Sequence, residues 1–174
     1  MQSIHSFGIS PREYSKRGLA NDFPELEACP ACAYPGPMLR HGYYWRNALF
    51  LRRSFRIPIC RYKCRSCHIT VSFLPDFLLP YYQYALVFIL DTLRNHYIHL
   101  KRRPYYQLVQ FYRKRYTRNL NRIEAFFRDY QVWVEILAKE KAIKLLEIIR
   151  TAFPKAPTFA KRYHEHFLHN FMAH

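Results

Sequence analysis

The pairs Cys29-Pro30-Ala31-Cys32 and Cys64-Arg65-Ser66-Cys67 dominate our expectation of how the first half of this chain folds. A Cys-x-x-Cys turn points two thiolates the same way, and two such turns together supply the four sulfurs of a closed tetrahedral zinc site. The intervening segment, 33–63, is longer than usual for such a site, so it must form a structured hairpin. We therefore predict one structural Zn²⁺ as cofactor, held by Cys29, Cys32, Cys64 and Cys67.

A disulfide framework, a redox pair and four ordinary buried thiols are the alternatives to a zinc site. The sequence shows no basic-then-apolar signal segment, which predicts a cytoplasmic protein whose thiols stay reduced and free to bind metal. A thioredoxin-like pair would open a helix, whereas Cys29 runs on into Pro35-Gly36-Pro37. The remaining candidate ligands, Cys60, His41 and His68, are not needed once two pairs complete the coordination.

The charge of the chain is strongly positive and unevenly placed. It has 28 Lys and Arg against 12 Asp and Glu, a formal net charge of +16. Seventeen of the cations lie in two windows without any acidic residue, 28–75 and 92–123. This concentration predicts a polyanionic partner with two phosphate-contacting surfaces. We expect no membrane partner, because the longest apolar run, 85–90, is far too short to span a bilayer.

Residues 1–79 are predicted to contain an arm and a zinc ribbon. The segment 1–27 has no clear hydrophobic period and is expected to be a loosely ordered arm. The segment 28–79 is predicted to be a three-stranded zinc ribbon, in which Phe55, Ile57 and Ile59 alternate with more polar positions. Pro58 within that strand favours an edge position.

Residues 80–174 have helical spacing. We predict a helical domain over 80–150, with helices at 81–97 and 105–116, a break at 117–119, a helix to about 130 and a neutral packing helix over 131–149. The helices flanking the break suggest a helix-turn-helix. The tail, 151–174, is expected to carry a short docking helix. The predicted fold class is α+β: a small three-stranded zinc ribbon followed by an α-helical bundle with a helix-turn-helix-like segment.

Candidate nucleic-acid contacts follow from the cationic windows and from this helix-turn-helix. The last helix of such a motif lies in the major groove, where Arg bonds guanine and Asn bonds adenine bidentately. An ordinary surface helix with capping asparagines is the alternative. The predicted contacts are Arg46, Arg52, Arg53, Arg56, Arg102, Arg103, Arg118, Asn119, Asn121 and Arg122.

A resemblance to a known family rests on four motifs: Cys-Pro-x-Cys at 29–32, Leu-x-His-Gly-x-Tyr-x-Arg at 39–46, Ile-x-Ile-x-Arg-x-x-Cys-x-x-Cys-x-x-Thr at 57–70 and Leu-Pro-x-Phe-Leu-x-Pro at 74–80. Over about 29–84 the chain resembles a bacterial family of small zinc-ribbon proteins of unassigned function. That family resembles the N-terminal DNA-binding parts of insertion-sequence transposases. The resemblance implies a zinc-binding, DNA-binding module and offers no catalytic residues to transfer.

These observations predict a zinc-stabilised DNA-binding protein, transposase-like or regulatory, without a catalytic domain, whose partner is double-stranded DNA. No enzyme is expected: DNA cleavage needs carboxylates converging on metal, and no strand-borne Asp with a later Glu stands out. Two alternatives stay open. Aromatic residues interleaved with cations, at 43–46 and 61–63, also suit RNA or single strands. The chain can also be the interaction module of a partner-dependent transposase, acting as a homodimer or with a separate catalytic protein.

Overall fold

The computed structural model describes residues 1–99, 105–131, 140–153 and 156–173. The chain forms two compact units, Met1–Gln83 and Tyr84–His174. The first unit contains a four-stranded sheet and one α-helix, and the described part of the second contains four α-helices. The fold class is therefore α+β, as predicted, although its details differ from the prediction.

The sheet of the first unit consists of β1 (Gln2–His5), β2 (Leu39–Leu49), β3 (Ser54–Lys63) and β4 (Thr70–Pro75), in the order β1-β4-β3-β2. The strands β2, β3 and β4 are antiparallel neighbours, and β1 runs parallel to β4. Within this sheet β3 is central rather than at an edge. Pro58 is tolerated there because β4 pairs only with Cys60 to Lys63 and does not reach it.

The N-terminal segment 1–27 is ordered, and the predictions of a loose arm and of a three-stranded sheet are both wrong. Strand β1 adds the fourth strand, and α1 (Pro11–Arg17) follows with Ser10 as its N-cap, whose Oγ accepts a hydrogen bond from Glu13 N at 3.1 Å. Tyr14 is fully buried, and its hydroxyl donates to Pro58 O at 3.0 Å. A four-residue strand is too short to show a period, and its partner lies about seventy residues away in the sequence.

The described helices of the second unit are α2 (Leu86–Tyr97), α3 (Tyr106–Asp129), α4 (Lys141–Ala152) and α5 (Ala156–Phe167). The predicted break at 117–119 is wrong, because the 24-residue helix α3 continues through these positions without interruption. The helix-turn-helix built on that break is therefore absent at this position. Of the predicted helix 131–149, the part 132–139 lies outside the described residues.

The core of the second unit is aromatic and includes the C-terminal segment. Phe127 of α3 stacks on Phe159 of α5 with ring centroids 5.8 Å apart, and Phe126 lies 5.3 Å from Tyr163. All four side chains are fully buried. The segment 151–174, predicted as a separate tail, thus supplies core residues of this unit. Among the helices that the structure describes, none has a stretch long and apolar enough to cross a membrane.

Candidate metal centre

The two cysteine pairs form turns of the same design. In each, the backbone N–H two residues after the first cysteine donates to that cysteine's sulfur: Ala31 N to Cys29 Sγ at 3.4 Å, and Ser66 N to Cys64 Sγ at 3.3 Å. The residue after each second cysteine has a positive φ, 55° at Ala33 and 59° at His68. The two turns therefore present their sulfurs in equivalent ways.

Backbone hydrogen bonds close each turn at its base. Cys29 N donates to Tyr34 O at 3.1 Å, and Cys64 N donates to Ile69 O at 3.0 Å. The first turn precedes β2, and the second joins β3 to β4. Because β2 and β3 pair along their length, with Leu39 opposite Lys63, the hairpin 39–63 brings the two turns to the same end of the sheet. This is the structured insert that the long spacing required.

The four cysteine sulfurs converge on one point. All lie within 4.8 Å of one another, with Cys29 Sγ 3.7 Å from Cys67 Sγ and Cys32 Sγ 3.7 Å from Cys64 Sγ. A disulfide requires about 2.05 Å between sulfurs. A tetrahedral ion with metal–sulfur bonds of about 2.3 Å places its sulfurs about 3.8 Å apart. The residues thus fit one metal ion with four sulfur ligands, a class that includes zinc and iron.

The electrostatics of the cluster also favour a cation. The backbone N–H groups of Ala31 and Cys32, together with the neighbouring thiols, lower the pKa of Cys29 to about 6. At Cys67 the N–H of Ile69 acts to lower the pKa, but burial and the three neighbouring thiols outweigh it and raise the pKa. Four thiolates at these distances repel one another, so without metal some sulfurs keep their protons. A bound cation removes this repulsion and displaces the protons.

The other sulfur and histidine candidates of the first unit stand apart from the cluster. Among the described residues, the grouping of possible ligands consists of the four predicted cysteines. Cys60 is fully buried within β3, and His41 and His68 are exposed. Within the cluster Cys29 and Cys64 are buried, whereas Cys32 is exposed. An ion would therefore enter from the side of Cys32.

The predicted phosphate contacts of the first unit divide into exposed and structural residues. Arg52 and Arg53 are exposed in the turn between β2 and β3, and Arg56 is exposed on β3 with its guanidinium 5.5 Å from the Trp45 ring. Arg46 is half-buried, donates to Tyr82 O and has a pKa lowered by burial. The hydrogen bond that the structure shows for Arg46 is therefore made to another residue of the first unit.

Four predicted contacts of the second unit lie on α3. Arg118, Asn121 and Arg122 are exposed, Asn121 Oδ1 accepts from Lys141 Nζ at 3.1 Å, and Arg122 Nη1 lies 2.9 Å from His169 Nε2. Asn119 was predicted to read a base, and this is wrong. It is 3% exposed and donates to the carbonyl of Arg115 at 2.9 Å and to a second carbonyl near the C-terminus.

Two further cations of the acid-free window 92–123 lie on the exposed side of α3. Arg113 and Lys114 are exposed on α3, but the site prediction left them out because it began the reading helix after a break. Their position in the acid-free window was the feature of the sequence that could have identified them as candidate contacts. Arg102 and Arg103 lie outside the described residues.

The fold and the cysteine cluster define an α+β protein with a candidate four-sulfur metal centre. Residues 29–105 match the model of a family described as a domain of unknown function (DUF6431). The match includes all four cysteines. No curated protein and no solved structure matches the chain. The likeness to transposases thus stays a prediction.

Proposed function

We propose that this chain is a zinc-stabilised protein that binds double-stranded DNA, in a transposase-like or regulatory role and without a catalytic activity of its own. Zinc suits four thiolates in a tetrahedral arrangement, and such a closed site leaves no coordination position for a substrate. The metal would therefore stabilise the end of the sheet that carries the two turns. The DNA contacts would come from the cations of both units.

The observation that carries the proposal is a set of exposed cations without carboxylate partners. In the first unit, Arg52, Arg53 and Arg56 make no ion pair with a carboxylate among the described residues. No acidic residue occurs anywhere in 28–75 to neutralise them. Exposed cations held close together without acidic neighbours attract a phosphate backbone and release its counterions on binding.

The same arrangement recurs on α3 in the second unit. Lys114 and Arg118 are four residues apart and therefore lie roughly 6 Å apart along one helix face. Both are exposed, as is Arg113, and none forms an ion pair with a carboxylate in the described part of the chain. With Asn119 buried, this helix is better suited to phosphate contact than to reading several bases.

The salt dependence of duplex binding tests this proposal. If roughly five phosphates are neutralised, log K falls with log salt at a slope of about −4.5, and each lost contact flattens the slope by about 0.9. We expect Arg52→Ala, Arg53→Ala and Arg118→Ala each to do so in anisotropy titrations. Arg12→Ala is the matched control, since Arg12 is exposed on α1 outside both windows. Equal slopes for all four variants and the unsubstituted protein would overturn the assigned surfaces.

Sequence specificity is tested by selecting ligands from random DNA duplexes with zinc-loaded protein. A defined motif that is lost with Cys64→Ser and Cys67→Ser, because the metal-stabilised fold is lost, would show zinc-dependent sequence recognition. Recovery of no motif by the zinc-loaded protein would reject sequence-specific recognition by this chain alone.

A further inference from the structure

One face of the sheet in the first unit carries polar, basic and aromatic side chains side by side. The register places Gln2 opposite Ser72, and Ser72 opposite Arg61, so these three residues form a row across β1, β4 and β3. Residues two apart on a strand share a face, so Lys63, two residues after Arg61 on β3, lies on the same face as this row. Tyr44 of β2 is opposite Ile59 and therefore also lies on this face.

Two adjoining open cavities lie on this face. One has a volume of about 450 Å³ and is lined by residues that include Tyr44, Arg46 and Tyr81. The other, of about 440 Å³, is lined by residues that include Arg61, Ser72, Tyr44 and Tyr81. The two tyrosines line both cavities, so both cavities offer aromatic surface next to an arginine.

Tyr81 is held in an unusual conformation at this place. Its φ is +68°, which is costly for a bulky side chain, and its side chain is 76% exposed. Its backbone N–H donates to Gln2 Oε1 at 2.8 Å, a contact to the row on the sheet. Neither burial nor packing therefore explains why an aromatic residue stands in this strained position. Strain of this kind concentrates at binding sites.

Arg61 has an unused donor at the same place. Its Nε is buried and has no hydrogen-bond partner among the described residues. Its guanidinium lies 6.0 Å from the centroid of the Tyr44 ring. A buried donor without a partner costs free energy that an anionic ligand would recover. Buried Ser72 and exposed Tyr81 complete a surface with both hydrogen-bonding and stacking groups.

We propose that this face binds an unpaired nucleotide of a single-stranded nucleic acid, with its base stacked on Tyr81 or Tyr44 and its phosphate on Arg61. Aromatic side chains stack unpaired bases irrespective of their identity, and nearby cations hold the backbone. A base inside an intact duplex cannot present its face to Tyr81. The site is thus distinct from the duplex-binding surfaces proposed above and does not depend on them.

Binding of short single strands tests the site directly. The probes are fluorescent oligodeoxyuridylate and oligouridylate, which differ only in the 2′-hydroxyl of the sugar, and a duplex of mixed sequence, each titrated at several salt concentrations. Tyr81→Gly removes the ring and also relieves the positive φ, so we expect thermal stability to be kept while single-strand affinity falls about tenfold. We expect Tyr81→Phe to retain the affinity. Arg61→Gln should weaken binding and reduce its salt dependence.

A tyrosine elsewhere provides the matched control. Tyr106 is 70% exposed at the start of α3 and does not line either cavity, so Tyr106→Ala should leave single-strand affinity unchanged. Unchanged affinity in Tyr81→Gly, or an equal loss in Tyr106→Ala, would overturn the proposed site. Equal binding of the two oligonucleotides would support recognition of base and phosphate alone. A preference for one of them would show that the site also contacts the sugar. A salt slope of duplex binding that is flattened by Arg52→Ala but unchanged in Tyr81→Gly would separate the two proposals.

Discussion

The residues that follow the second cysteine of each turn adopt a conformation that glycine prefers. Ala33 and His68 have φ values of 55° and 59°, in the left-handed region. The left-handed conformation costs an L-residue about 1–2 kcal/mol. The cost is borne because the chain must reverse direction at that point for both sulfurs of the pair to face one ion.

We therefore expect His68→Gly to stabilise the metal-loaded protein by up to about 1 kcal/mol, since the strain disappears and part of the gain is lost to the greater freedom of the unfolded glycine. Urea unfolding of the metal-loaded form measures the change. Ser66→Gly is the control within the same turn, because Ser66 is not among the residues with positive φ. It should destabilise, and stabilisation by both variants would contradict the assignment of strain to position 68.

A buried histidine predicts that the stability of the second unit depends on pH. His164 is 6% exposed, and its Nδ1 has no hydrogen-bond partner among the described residues. Burial, and then the charge of His169, lower the pKa of His164, while Glu165 acts in the opposite direction. The unfolded state, with a pKa of about 6.5, binds the proton more readily than the folded state.

Stability should thus fall as the pH drops through about 6.5 toward the lower pKa of the folded state, and should be kept above that range. His164→Gln, which does not titrate, should flatten this dependence in urea unfolding curves followed by helical circular dichroism. His99→Gln alters an exposed histidine and should leave the curve unchanged. An unaltered pH dependence in His164→Gln would show that His164 is not its source.

At the scale of elements, α3 shows how tertiary contacts override local signals. Thr117 and Asn119 are weaker helix formers than Leu or Arg, and they suggested a break at 117–119. In the fold, Asn119 Nδ2 donates to the carbonyls of Arg115 and Ala173, and the Tyr97 hydroxyl lies 2.9 Å from Thr117 Oγ1. These bonds use polar side chains that would otherwise favour a turn. The helix therefore continues.

A proline substitution distinguishes a continuous helix from a break. Thr117→Pro removes an intrahelical hydrogen bond and should cost about 3 kcal/mol in the unfolding of the second unit. Tyr106→Pro places the same ring at the first helical residue, where the N–H has no intrahelical partner, and should be tolerated. Equal stability of the two variants would be evidence for a turn at 117–119.

At the scale of the whole molecule, the two units contain different candidate sources of stability. The first unit has the four-cysteine cluster at one end of a small sheet, where a structural zinc ion would contribute on the order of 10 kcal/mol to folding. The second unit has an aromatic core built from α3, α5 and Phe153. Its described residues include no metal cluster.

A chelator should therefore disorder the cysteine turns and leave the helices of the second unit folded. We expect hydrogen exchange to accelerate at 29–34 and 64–69 while the helical circular dichroism is retained. Cys64→Ser should lose the bound metal, whereas Cys60→Ala should keep one ion per chain, because Cys60 lies outside the cluster. Loss of helical signal together with the metal would show that the second unit also depends on the ion.

The sequence alone determined the local and periodic features of this protein. The spacing of Cys29, Cys32, Cys64 and Cys67 was sufficient to name the cluster and its structured insert, because metal coordination requires that ligand set. The alternation in β3 was visible in the sequence, although the strand is buried on both faces over 57–60. The absence of acidic side chains from residues 28–75 was also visible directly in the sequence.

Only the tertiary structure decided which distant residues meet. The pairing of β1 with β4, the burial of Asn119 and the packing of Phe159 against Phe127 depend on contacts between segments far apart in the chain. The row of Gln2, Ser72 and Arg61 likewise exists only through strand register. Such contacts leave no periodic mark in a single sequence, since each residue is chosen for a partner that the local pattern does not contain.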